Sequence, residues 1–121
     1  MASLGMMEFF PFPAIRVGQD QLLEDLNAAF REEKILLAHA PTGLGKTAAA
    51  LSAALFHALE KKKRVFFLTN RHTQHALAIE TLRAIKEKAK ADFSCADLIG
   101  KRWMCSQEIA GLFGNDFNEF C

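Results

Sequence analysis

The sequence is short of net charge, of long apolar runs and of cysteine, and each shortage excludes something. Across 121 residues the formal net charge is only +1. No overall field therefore points to nucleic acid, and any such contact has to come from local basic clusters such as residues 61–64, KKKR. The plain alternative for that cluster is a solvated helix end. No apolar run approaches the ~20 residues of a membrane span, and the opening MASLGMMEFFPF lacks the charged and long apolar regions of a secretory signal. The chain reads as intracellular, in the cytoplasm or nucleus, with no membrane partner. Three cysteines, an odd number without secretory context, argue against a disulfide framework and for free thiols or metal ligands. Internal repeats and low-complexity tracts are absent too, and the length has room for one modest domain.

What is there is an alternation of helical and strand-like patterns. Residues 1–13, with Pro11 and Pro13 among aromatics, read as an extended lead-in. From Gln19 to Arg31, Leu22, Leu23, Leu26, Ala29 and Phe30 recur at helical spacing. KILLAHA, residues 34–40, is a short apolar run bounded by PTGLG and reads as a buried strand. Residues 46–61 are rich in alanine and leucine and end in lysines, which suits a helix and its dipole. RVFFLT, residues 64–69, predicts a second strand, and residues 72–90 a helix with Leu77, Ile79, Leu82 and Ile85 facing inward. FSCADLIG, residues 93–100, predicts a third strand, with Cys95 buried in it as a small hydrophobe. The order implies an α/β fold, an open parallel sheet with helices on both faces joined by right-handed crossovers. After Gly100 the periodicity stops, and a subdomain boundary is expected there, dividing 14–100 from 101–121.

The chemistry concentrates in APTGLGKT, residues 40–47. It follows an expected strand and opens an expected helix, the context that a phosphate-binding Walker A loop requires. Glycines let backbone N–H groups turn inward around phosphate oxygens, and the helix N-terminus adds positive potential there. Thr42, Gly43, Leu44, Gly45, Lys46 and Thr47 form the candidate nucleotide site. Lys46 would reach the β- and γ-phosphates of ATP, and the Thr47 hydroxyl would ligate Mg²⁺. Ala40 stands where the strict pattern has glycine, a form seen in helicase-type loops. Turnover also needs a carboxylate at the end of an apolar strand. Asp97 precedes its apolar residues, and Asp92 and Asp116 follow no strand. The chain is therefore expected to bind nucleotide without hydrolysing it efficiently by itself.

Four segments in order resemble the XPD/DinG-type iron–sulfur DNA helicases of superfamily 2. FPFPAIRVGQDQLLEDL is similar to that family's segment ahead of the loop, in which an arginine and a glutamine approach adenine; these are Arg16 and Gln19. HAPTGLGKT resembles motif I, with His39 where an acid is common. FFLTNRHTQ resembles motif Ia, which implies contacts of Thr69, Arg71, Thr73 and Gln74 with the backbone of single-stranded DNA; the alternative is that Asn70 or Thr73 is only a helix cap. GKRWMCSQ resembles the segment delivering the first cysteine of a [4Fe–4S] cluster, which places Cys105 in that role and Cys121 as the second of four thiolates.

The resemblance implies a RecA-like P-loop NTPase domain over 14–100, in part, and the start of an iron–sulfur domain over 101–121. The implied whole is an ATP-dependent helicase moving 5′ to 3′ on single-stranded DNA, with ATP, Mg²⁺ and the cluster as cofactors. The chain would be its N-terminal piece, cut through the iron–sulfur domain and unable to hold a cluster alone. Two other readings fit the residues: a cluster-free P-loop ATPase or translocase, and a non-catalytic nucleotide- or DNA-binding module.

Overall fold

A computed structural model describes residues 4–107, 111 and 115–120 of the chain. Its elements are six helices: α1 Leu4–Phe9, α2 Gln19–Arg31, α3 Lys46–Lys61, α4 His72–Ala89, α5 Lys101–Met104 and α6 Asn115–Phe120. Three match the periodic segments of the sequence closely. None of the helices is long and apolar enough to cross a membrane.

The hub is α3, which packs against α1, α2 and α4, most extensively against α2. Its sequence explains this. Ala48, Ala49, Ala53 and Ala58 are all buried, and so small a side chain lets neighbouring helices come close at little entropic cost. One core cluster joins Met6 and Phe10 to Leu23 of α2 and to Ala48, Ala49 and Ala53. A second joins Leu51 and Leu55 of α3 to Ala78 and Ile85 of α4, with Phe9, Leu82 and Phe93 packed against it. Ser52, fully buried in α3, is satisfied by donating to the Ala48 carbonyl at 2.6 Å and lies 3.0 Å from the Phe9 carbonyl.

The open parallel sheet is not found. Among the described residues there is no strand, and the described structure is all helical. Residues 34–40, 64–69 and 93–100 lack helix, but no backbone hydrogen bond joins one of these segments to another. An apolar run is only half of what a strand needs; the other half is a ladder to a neighbour, which the run itself does not encode. Without it the side chains stay in water. Ile35 and Leu37 are 100% and 99% exposed, whereas Leu36 between them is 38% exposed, and Phe66 and Leu68 alternate likewise with the more covered Val65 and Phe67. The period of two is present, but only one face is partly covered. Cys95, expected inside, is exposed.

The lead-in is also corrected. Residues 4–9 form α1 because the prolines act only from position 11 onward, and Met6 within it and Phe10 just past its end are both buried. Two other elements hold its end: beside the Ser52 contact, the Lys88 ammonium donates to the Phe10 carbonyl at 2.6 Å. In α4 the buried positions are Ala78, Thr81 and Ile85, while Leu77 is 45% exposed. The Thr81 hydroxyl is spent on the Leu77 carbonyl at 2.7 Å, which permits its burial.

Three helices leave for their extended segments through a charged residue in the left-handed region: Glu33 (φ 53°), Lys62 (φ 53°) and Lys90 (φ 48°). After α2 and α3 the turn closes with a Schellman-type bond, Lys34 N–H to Ala29 O at 2.9 Å and Lys63 N–H to Ala58 O at 2.8 Å. Beside the first, a hydrogen bond from the Lys34 ammonium at 2.5 Å holds the exposed Glu32 carboxyl below its ordinary pKa. Glycine carries no Cβ penalty at such a position. Glu33→Gly, Lys62→Gly and Lys90→Gly should each stabilise the fold by about 0.5–1 kcal/mol, read as a higher urea midpoint at unchanged slope. A lower midpoint in all three would contradict the geometry.

Candidate nucleotide-binding site

The loop expected to hold phosphate is a turn between the segment 34–40 and α3. Gly43 (φ 88°) and Gly45 (φ 84°) both take the left-handed conformation, and Gly45 is the N-cap of α3. Only glycine does this without strain. The turn bends the chain so that the first amides of α3, which have no partner within the helix, open the loop's inner side. Lys46 reaches back across it, its ammonium donating to the Ala40 carbonyl at 2.8 Å and the Pro41 carbonyl at 2.9 Å. A cation thus sits at the start of the loop on exposed carbonyls. Thr47 is half-buried in the first turn of α3.

The segment ahead of α2 clasps this loop. Gln19, 1% exposed, accepts the Arg16 backbone N–H on Oε1 at 3.0 Å and donates from Nε2 to the Gly45 carbonyl at 3.2 Å. The Arg16 guanidinium donates to the Gly43 carbonyl. Arg16 and Gln19, expected near adenine, are therefore brought together with the loop, and both ends of the Gln19 amide are engaged by backbone. The fit is tight: a Cβ on Gly45 would lie 2.4 Å from Gln19 Nε2. Thr42 and Leu44 complete the turn, where a Cβ on Gly43 would meet nothing within 4 Å. Two left-handed glycines, a lysine at the loop and the start of a long helix suit the phosphates of a nucleotide.

The other expected contacts lie around a second concavity. Thr69 Oγ1 accepts the Arg71 backbone N–H at 3.3 Å, and Gln74 N–H donates to the Arg71 carbonyl at 3.0 Å. The N-cap of α4 is Arg71, with no capping side chain, so neither Asn70 nor Thr73 has that role. Thr73 is exposed and Gln74 half-buried on the first turn of α4. Thr69, Asn70 and Arg71 line a cavity of about 300 Å³ with His75, Leu98 and Ile99 among its other walls. His75 Nδ1 lies 2.6 Å from Asp97 Oδ1. The sequence offered no signal for this pair, 22 positions apart.

Cys105 is half-buried just after α5, and Cys121 lies outside the described residues. Among the described residues no three His, Cys, Asp or Glu side chains come together as a metal site. The described thiols, Cys95 and Cys105, are two short of the four that such a cluster takes.

Residues 13–110 match the family described as the type III restriction enzyme, res subunit. The chain belongs to this family. A probable ATP-dependent helicase of Methanocaldococcus jannaschii is 34% identical over 94 residues, which is 78% of the chain and 14% of that protein. The chain thus spans 14% of the length of the relative it matches. No solved structure matches it. Neither the res-subunit match nor this relative distinguishes an iron–sulfur type. The loop and both clasping residues fall within the res-subunit match.

Gly45 is the tightest point of the site. Gly45→Ala should cost about 1–2 kcal/mol for the left-handed conformation alone and displace Gln19 besides, lowering both the unfolding midpoint and the affinity for Mg-ATP. An alanine variant with unchanged stability and binding would refute the clasp.

Proposed function

We propose that the chain is the nucleotide-binding part of an ATP-dependent helicase acting on single-stranded nucleic acid. The observation that carries this is the loop 40–47, with left-handed Gly43 and Gly45 and the Lys46 ammonium at its start. Mg-ATP, when bound, supplies the phosphoanhydride whose cleavage drives movement. Backbone amides of residues 42–47 would orient its phosphates, and the Thr47 hydroxyl would take a place on Mg²⁺. Lys46 would exchange two carbonyl partners for phosphate oxygens, a change toward stronger charge-assisted hydrogen bonds. Arg16 and Gln19 hold the loop's shape, and their proximity to it is consistent with adenine lying beside them.

Residues 14–100 are proposed as the nucleotide-binding region and 101–121 as a separate one. Thr69, Arg71, Thr73 and Gln74 are proposed to hold phosphates of single-stranded DNA, and movement 5′ to 3′ rests on the resemblance of the motifs to XPD/DinG-type enzymes. That resemblance also assigns Cys105 and Cys121 as two thiolates of a [4Fe–4S] cluster; no step is drawn through it. A cluster-free helicase is the second reading, with which the res-subunit match is equally compatible. Iron analysis of the anaerobically purified whole protein separates the two: about four irons per chain supports the cluster, and none supports the alternative.

Lys46→Ala should weaken Mg-ATP binding to the chain by about 10- to 100-fold, the worth of hydrogen bonds to a charged group, as measured by calorimetric titration. Equal affinity in the two proteins would overturn the nucleotide reading.

A further inference from the structure

The cavity beside the turn 69–71 has more on its walls than phosphate binding needs. A strand held only through its backbone requires cations and amide or hydroxyl donors. Here Arg71 is exposed and supplies the cation. The cavity is also walled by Phe67, Leu98 and Ile99, which are apolar, and by the polar side chains of Asn70 and His75. Leu98 is 74% exposed and Phe67 40% exposed, so this floor is open to a ligand. The nearby carboxylate, Asp97, lies against His75, with Oδ1 2.6 Å from Nδ1.

An apolar floor, a polar edge and a cation at one rim are the complement of one nucleotide. A base has two apolar faces and a hydrogen-bonding edge, and it is tied to an anionic phosphate. The volume, about 300 Å³, is at the small end for ligand pockets and admits one such unit rather than a duplex. We infer that this cavity takes one unstacked base of a single strand, with Phe67, Leu98 and Ile99 against its faces, Asn70 and His75 at its edge and Arg71 on the adjoining phosphate. This rests on the nucleic-acid reading above and adds to it: the turn would hold a base as well as the backbone.

The test compares two oligomers of equal length and charge, one of thymidylate and one with an abasic sugar–phosphate backbone, by fluorescence anisotropy with the full chain. The wild-type chain should bind the thymidylate strand roughly five- to tenfold more tightly, as expected for one base placed on an apolar surface. Leu98→Ser should erase that preference and leave abasic binding within about twofold. Arg71→Ala should weaken both strands alike. Leu98 and Asn70 are exposed, and Asn70→Ala, which should reduce the preference, is the second variant should Leu98→Ser misfold. Equal binding of the two strands by the wild type would overturn the base site while leaving the backbone contacts standing. Failure of the wild type to bind either strand would overturn the nucleic-acid reading itself, and the base site with it.

Discussion

Gln19 is buried at the junction of the loop and α2, and its amide cannot be left unsatisfied there without a cost of about 1–3 kcal/mol. It is satisfied by the Arg16 N–H on one side and the Gly45 carbonyl on the other. The same residue therefore fixes how the chain enters α2 and where the loop meets α3. Gly45 must be glycine on two counts, its positive φ and the 2.4 Å that a Cβ would leave to Gln19. The loop's shape is thus set by a tertiary contact and not by its glycines alone, which supply permission rather than direction.

Around that junction α3 does two jobs. Its first turn carries Lys46 and Thr47, and its alanine-rich body is the surface on which α1, α2 and α4 converge. Movement of α3 relative to α2 would disturb the Gln19 bond, and movement relative to α4 would disturb the second core cluster. The N-terminal helix bridges these halves. Met6 and Phe10 belong to the first cluster and Phe9 packs on the second, while Lys88 of α4 holds the Phe10 carbonyl just past its end. The loop 40–47 and the turn at residues 69–71 thus stand at the starts of two helices that share one core.

Local patterns in the sequence were reliable where the structure is local. The bounds of α2 and α3 follow from apolar spacing and from the glycines at 18 and 45, and the loop was legible from its residues alone. What failed depended on partners distant in the chain. The apolar runs at 34–40, 64–69 and 93–100 carry strand-like alternation, yet no ladder joins them, so the sheet does not follow and Cys95 is not buried. Residues 4–9 were read through the prolines that follow them, although those prolines end the helix rather than prevent it. In α4 Ile85 is buried as expected, but Leu77 lies outward and Thr81 inside, the latter made possible by a bond within its own helix. Gln19 was legible as a site residue, but its bond to Gly45 spans 26 positions and no periodicity reports it.

The central claim is that Gln19 shapes the phosphate loop rather than serving adenine alone. Binding of magnesium tripolyphosphate, which has the phosphates of ATP without its base, measures this directly in wild-type and Gln19→Ala chains. Loss of the clasp should weaken tripolyphosphate binding by about tenfold, comparable to its effect on ATP. Unchanged affinity for tripolyphosphate, with a loss confined to ATP, would contradict the account and return Gln19 to the adenine.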